Sequence, residues 1–298
     1  MRGLGMLPMK MRSRLFLGGI ALQALVSGSA HAEVYRHITA ESPAGAVIND
    51  AGVLTESGVA YPAIYTPSSR ESWCRLPWLD SANAFKGSRS IGMEITPRAA
   101  VAANPVDKVN HRISSGNDPF ALAFGVKRYT GFALLLPRDQ FEIPAPGKKL
   151  MLAQWWQGAP YGPPLRLAIT DATTHAVTFR FLVLNDDTKG NPSAVPVDVG
   201  GGVIPFDTWT SFVVMTLPDH GGAGEVEVWL DGERIVAWIG KLGYDPAEIP
   251  YAGAQVGTRK PNPRFDVFYG PYRERQEKRH RVFFDEIKFT DTHAEAVP

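Results

Sequence analysis

FDTWTSFVVMTLPDHGGAGEVEVWLDGERI, residues 206–235, decides the fold class. Trp209–Leu217 is dense in aromatic and β-branched residues, the composition of a strand. Glu225–Leu230 alternates, so Val226, Val228 and Leu230 share one face. Asp231-Gly232 is a dipeptide suited to the two positive-φ positions of a tight hairpin turn, and Arg234–Ile239 runs back.

Outward from this hairpin, the same signals recur. Ser90–Ile95, Lys108–Ser114, Thr130–Leu136, Leu150–Ala153, Leu165–Thr170 and Ala176–Leu184 read as strands, and Phe265–Phe268 and Arg281–Phe289 close the chain. Residues 33–85 read as irregular. Residues 185–203, with Gly200-Gly201-Gly202, read as a long connection over a binding face. Long helical periodicity is absent, and no repeat or linker divides residues 33–298. The expectation is one all-β domain, a two-sheet sandwich.

The first 32 residues have the form of a secretory signal. Arg2, Lys10, Arg12 and Arg14 precede an apolar run from Leu15 to Val26, and Ala30-His31-Ala32 is an A-x-A cleavage site. The expected product is exported, periplasmic or secreted. No segment reaches the roughly 18 apolar residues of a membrane span. Without residues 1–32 the chain has 27 basic and 30 acidic residues, a formal charge of −3. That balance argues against a nucleic-acid partner. Arg273, Arg275, Lys278, Arg279 and Arg281, with His280 among them, form a basic cluster that reads as a solvated loop or as an attractor of anionic polymers. Cys74 is the only cysteine, so there is no internal disulfide, and its place between Trp73 and Leu76 suggests burial.

KLMLAQWWQ, residues 149–157, carries the functional signal. Strict alternation would put Leu150, Leu152, Gln154 and Trp156 on one face, and Met151, Ala153, Trp155 and Gln157 on the other. An amide beside an indole suits a sugar. Two core tryptophans at a strand end are the other reading of the same residues.

The order of segments resembles a family. His111-Arg112, GFALLLP at 131–137, LAQWWQ at 152–157, the 206–235 hairpin and FYGPYR at 268–273 are similar to the heparin-lyase-I-like polysaccharide lyases, and more distantly to jelly-roll alginate lyases. The resemblance covers roughly residues 88–290. It implies a concanavalin-like β-jelly-roll with a concave cleft, and β-elimination on an acidic, uronic-acid polysaccharide. Arg112 matches the family's arginine and Gln154 its glutamine; with Asn110 they would hold the C6 carboxylate. Tyr272, with Gly270 at the matching glycine, would transfer protons, its pKa lowered by Arg112. His111, Trp156, Gln157, Phe268, Tyr269 and Arg273 complete the expected substrate-binding set. His111 needs a bulge to reach the cleft face. No metal or cofactor is implied, a structural Ca²⁺ would leave no mark in the sequence, and a monomer is expected.

Two positions depart from the family. Its histidine is Trp156 here, which cannot exchange a proton with substrate, and its lysine is Phe268. A non-catalytic carbohydrate-binding protein on the same fold is therefore the alternative reading. A glycoside hydrolase ranks below both: Glu225 and Glu227 share a face only on the hairpin arm, and Asp285 and Glu286 are adjacent and so point oppositely.

Overall fold

The computed structural model describes residues 34–41, 45–66, 74–99, 106–114, 122–158, 162–188, 195–248 and 260–298. The expected leader at 1–32 and the side chain of Cys74 lie outside this description.

Two large antiparallel sheets form the sandwich. The back sheet runs β17 (Glu233–Leu242), β16 (Asp219–Leu230), β15 (Thr210–Leu217), β10 (Arg128–Leu135), β19 (His280–Thr290), β7 (Ser90–Ile95) and β6 (Cys74–Asp80), with β1 (Val34–Ile38) also paired to β19. The front sheet runs β14 (Val197–Pro205), β13 (Ala176–Val183), β12 (Leu165–Ala172), β11 (Leu150–Trp156), β18 (Arg264–Glu274), β8 (Val106–Ser114) and β5 (Ala63–Thr66), with β9 (Leu122–Ala123) on β18. A small third sheet joins β2 (Val47–Ile48), β3 (Leu54–Glu56) and β4 (Val59–Tyr61). A single helical turn, α1 (His293–Ala296), is capped by Thr292, whose side chain accepts from the Glu295 amide.

The quoted hairpin forms as read. Leu230 pairs with Glu233 across Asp231 (φ 49°) and Gly232 (φ 85°). The Asp231 carboxylate accepts from the Ser211 amide, which ties the turn to β15. Inward-facing rings from both sheets then meet. Phe132 stacks on Phe212 at 5.0 Å and meets Tyr269 of the front sheet at 4.7 Å, while Phe179 touches Phe212 edge-on at 5.3 Å.

Two expectations are corrected. Residues 33–85 are not irregular; their described parts contain β1 to β6. Much of the 185–203 connection is strand β14, paired to β13. Its glycines sit there because space is short: a β-carbon on Gly201 would lie 2.0 Å from the Phe179 carbonyl oxygen.

The basic cluster is divided: residues 275–279 form a loop on which Arg279 is exposed, but none of its arginines is a free cation. Arg273 and Arg275 are buried on Asp107, at 3.4 and 3.1 Å. Arg279 and Arg281 pair with Glu94, and Lys278 with Glu142. Arg273 also donates to the Thr96 and Lys278 carbonyls and to His280 Nδ1, so it ties β18 to the residue after β7 and to the start of β19.

Candidate active site

The outer face of the front sheet holds a cavity of about 440 Å³. Register builds its floor in two rows. In the first, Gln154 on β11 lies opposite Arg166 on β12 and Phe268 on β18, and Phe268 lies opposite Arg112 on β8. In the second, Met151 on β11 lies opposite Ala168 on β12 and Tyr272 on β18, and Tyr272 lies opposite Lys108 on β8.

The strict alternation expected along β11 breaks between Met151 and Ala153. There β11 advances two residues while β12 advances one and β18 advances three. Leu152 and Ala153 both turn into the core, while Met151, Gln154 and Trp156 reach the cavity. Trp155 is fully buried against Phe181. Gly270 occupies the matching irregular step of β18 at φ +126°, where a β-carbon would sit 2.4 Å from the Val109 carbonyl oxygen.

Of the expected site residues, Tyr272, Gln154, Asn110, Trp156 and Phe268 line the cavity together. Asn110 is 2% exposed, and its side-chain oxygen has no hydrogen-bond partner among the described residues. A nearly buried amide lining a cavity, with its oxygen unpaired, is a candidate contact for a polar ligand. Trp156 and Phe268 meet edge to face at 5.8 Å, forming one aromatic wall.

The other expected residues are elsewhere. Arg112 stands beside Phe268, its guanidinium 5.4 Å from the ring, with Nε 3.8 Å from Asp266, and is not part of the cavity lining. His111 is fully buried on the core face with Nε2 3.0 Å from the Gly52 carbonyl; no bulge brings it round. Tyr269 is a core ring, and Arg273 belongs to the Asp107 network. Gln157 is fully buried, its amide donating to the Tyr244 and Asn262 carbonyls and accepting from the Tyr244 N–H, so it pins the strand end and does not touch the cleft.

Four charged residues of the cavity escaped the sequence reading: Lys108, Lys149, Arg166 and Glu274. Arg166 was legible as the one charge between Leu165 and Leu167, and Lys108 shares its strand face with Asn110 and Arg112. Glu274 is 3.9 Å from Lys148 Nζ and 3.8 Å from Lys149 Nζ. Burial pushes the Lys108 ammonium below its ordinary pKa, and the Arg112 charge adds to this. Burial likewise pushes the Tyr272 phenol up, helped by Glu274 and opposed by Arg166. The expected lowering of Tyr272 is thus reversed, and the cation in reach is Arg166, not Arg112.

Among the described residues, Glu274 is the only carboxylate lining this cavity. Glu225 and Glu227 lie on the back sheet, paired with Lys127 and Arg234, so among the described residues the two-carboxylate arrangement of a glycosidase is not assembled in this cavity. Among the described residues no group of three or more His, Cys, Asp or Glu side chains is arranged to hold a metal ion. No helix among them is long and apolar enough to cross a membrane.

The polysaccharide lyase family model matches residues 80–288, and the chain belongs to that family. Similar solved structures include alginate lyase Aly36B in complex with alginate trisaccharide, with 11% identity, a TM-score of 0.50, and coverage of 86% of this chain and 98% of that one. They also include the endo-β-1,4-glucuronan lyase of the fungus Trichoderma reesei, with 16% identity, a TM-score of 0.49, and coverage of 79% and 98%. The likeness to Aly36B, at this identity, speaks for the fold alone. No protein of curated function matches the sequence.

Proposed function

We propose that the chain is an exported lyase that cleaves a uronic-acid polysaccharide by β-elimination, with a motif order close to the heparin-lyase-I-like group. The carrying observation is the placement of Lys108 directly opposite Tyr272 on the floor of the cavity. Family membership supplies the reaction class, and these two residues supply the proton chemistry it needs. Export rests on the leader read in residues 1–32.

In this reading the C6 carboxylate of the uronate meets Arg166, Gln154 and Asn110. Their positive charge and N–H groups stabilise the enolate-like state that makes the C5 proton acidic. Lys108, once deprotonated, takes the C5 proton as its amine, and the C5 electron pair forms the C4=C5 double bond. The C4–O4 bond breaks, and the Tyr272 hydroxyl protonates the departing O4. Lys108 is left as ammonium and Tyr272 as phenolate. A proton passing from Lys108 to Tyr272, between directly paired strands, restores both. The aromatic wall of Trp156 and Phe268 gives an apolar pyranose face something to pack on.

That same wall favours the second reading, a cleft that binds without turnover. Incubation with polyglucuronate, alginate, heparan sulfate, heparin and hyaluronan, followed by ultraviolet absorbance of unsaturated uronate, separates the two. Absorbance on one polymer is expected. A polymer that shifts tryptophan fluorescence while none gains absorbance would support binding alone.

A further inference from the structure

A second pair lies behind Lys108 and Tyr272. The neighbouring residue on each strand places Asp107 of β8 opposite Arg273 of β18. Side chains alternate, so the first pair faces the cavity and the second faces the interior of the sandwich. Asp107 and Arg273 are both fully buried, and Arg273 Nη2 lies 3.4 Å from the Asp107 carboxylate. The same Nη2 donates at 2.7 Å to the carbonyl of Thr96, the residue after β7 in the back sheet. Nη1 donates to the Lys278 carbonyl and, at 2.9 Å, to Nδ1 of His280, which opens β19. One guanidinium therefore joins β18 to β8 beside it and to β7 and β19 across the sandwich.

β18 needs an anchor at this point. Between Tyr269 and Tyr272 it advances three residues while β11 advances two. Gly270 lies in that step at φ +126°, and Pro271 has no N–H to give to a ladder. The ladders to β11 and β8 resume at Tyr272, and β18 ends two residues later at Glu274. Three paired residues beyond a break hold their register weakly, and a slip of one residue would exchange the faces of Tyr272 and Arg273. That slip would carry the guanidinium away from Asp107, Thr96 and His280 and leave their charge and polar atoms unmet in the interior. Stability alone does not call for the ion pair, because apolar residues of similar volume often serve as well. Its directional bonds, however, fit one register only.

Resting on the β-elimination reading, we infer that Arg273, through its bond to Asp107, is a positioning residue for the reaction: it holds Tyr272 opposite Lys108 on the cleft face without touching substrate itself. The run of arginines at the end of the chain then has a place in catalysis from behind the sheet, with no contact to the polymer.

The test sets wild type beside Arg273→Met, Arg273→Lys, Tyr272→Phe and the double variant Arg273→Met/Tyr272→Phe. Arg273→Met leaves Asp107 within 3.1 Å of Arg275 and 3.7 Å of Arg98, so no buried acid loses all its partners. Thermal unfolding establishes that each variant is folded at the assay temperature. If Arg273→Met does not fold, Arg273→Lys carries the same comparisons, since an ammonium keeps the charge but not the fork of donors. On the polymer that wild type degrades best, Arg273→Met should lower kcat on the order of 10²-fold, the effect of a misplacement near 1 Å, with KM little changed. In the Tyr272→Phe background the same substitution should cost little more, because residues acting through one another are not additive. A crystal structure of the Arg273 variant gives the readout that needs no turnover, and it should show Tyr272 displaced from its place opposite Lys108. Full kcat in a folded variant, losses that add to those of Tyr272→Phe, or a Tyr272 still opposite Lys108 would overturn the inference and leave the lyase reading intact. If wild type yields no unsaturated uronate on any polymer, the lyase reading fails instead, and the position of Tyr272 in the variant structure alone decides whether Arg273 sets the register.

Discussion

Tyr272 and Lys108 face each other across paired antiparallel strands, and burial acts on them in opposite directions. It raises the pKa of the phenol and lowers that of the amine, because both charged forms are disfavoured away from water. The neutral pair, amine and phenol, is the starting state that the proposed elimination requires. Activity should therefore rise with pH as Lys108 loses its proton, and fall at higher pH as Tyr272 loses its own. Tyr272→Phe and Lys108→Met should each lower kcat by about 10²–10⁴, the usual worth of a positioned acid or base, with the fold retained by circular dichroism. Full activity in either variant removes that residue from the proton transfer.

Glu274 tunes this pair from outside the reacting atoms. Its charge pushes the Tyr272 phenol up. In Glu274→Gln the alkaline limb of the pH–rate profile should move to lower pH, with the acid limb moving little. A profile that keeps its shape and loses only height would assign Glu274 to holding Lys148 and Lys149.

Arg166 and Arg112 make opposite predictions. Arg166 lines the cavity opposite Gln154, while Arg112 is occupied by Asp266 and the Phe268 ring. Losing a charged hydrogen bond to substrate costs about 1.5–3 kcal/mol, so Arg166→Met should lower kcat/KM roughly 10–150-fold. Arg112→Met should change it by much less. The reverse order would return the carboxylate to Arg112.

Gly270 is a stability position. A side chain there meets both a positive φ and the Val109 carbonyl oxygen at 2.4 Å. Gly270→Ala should lower stability by about 1–3 kcal/mol or more, read as a fall in Tm, because the strained backbone and the close approach both oppose it. An unchanged Tm would mean that β18 tolerates a different path beside β11.

Acid should destabilise the fold before most carboxylates titrate. Burial lowers His111 to about 4 and, with the Arg273 charge, His280 to about 3. The unfolded chain binds these protons near pH 6.5 and the folded chain does not, so stability is full above about 6.5 and is lost as pH falls below it. Asp285, raised by burial to about 6, holds its proton more tightly when folded and offsets one histidine between about 6 and 4. The balance is roughly one proton, or about 1.4 kcal/mol per pH unit. Thermal unfolding between pH 7 and 4 measures it; a flat Tm would contradict it.

The hairpin at 206–235 was legible because turn chemistry and alternation agree there. Gln154 and Trp156 were legible as cleft residues for the same reason of parity, which survives the bulge because both lie beyond it. Parity also separates Tyr269 and Arg273 from Tyr272, but the run of arginines reads as a spatial cluster when sequence proximity outweighs strand geometry. Arg273 and Arg275 instead share Asp107 in the interior. The carboxylates that neutralise this run, Glu94, Asp107 and Glu142, are distant in sequence, and nothing local announces them. The glycines of β14 signal a loop by composition. Only the packing of β13 beneath them makes them strand residues.

One measurement tests the central claim most directly. On the polymer that the protein degrades best, new reducing ends and unsaturated uronates are counted in the same digest. β-Elimination creates one C4=C5 double bond for every chain break, so a ratio near one is predicted. Reducing ends that accumulate without ultraviolet absorbance would show hydrolysis, and the roles given to Lys108 and Tyr272 would fall with it.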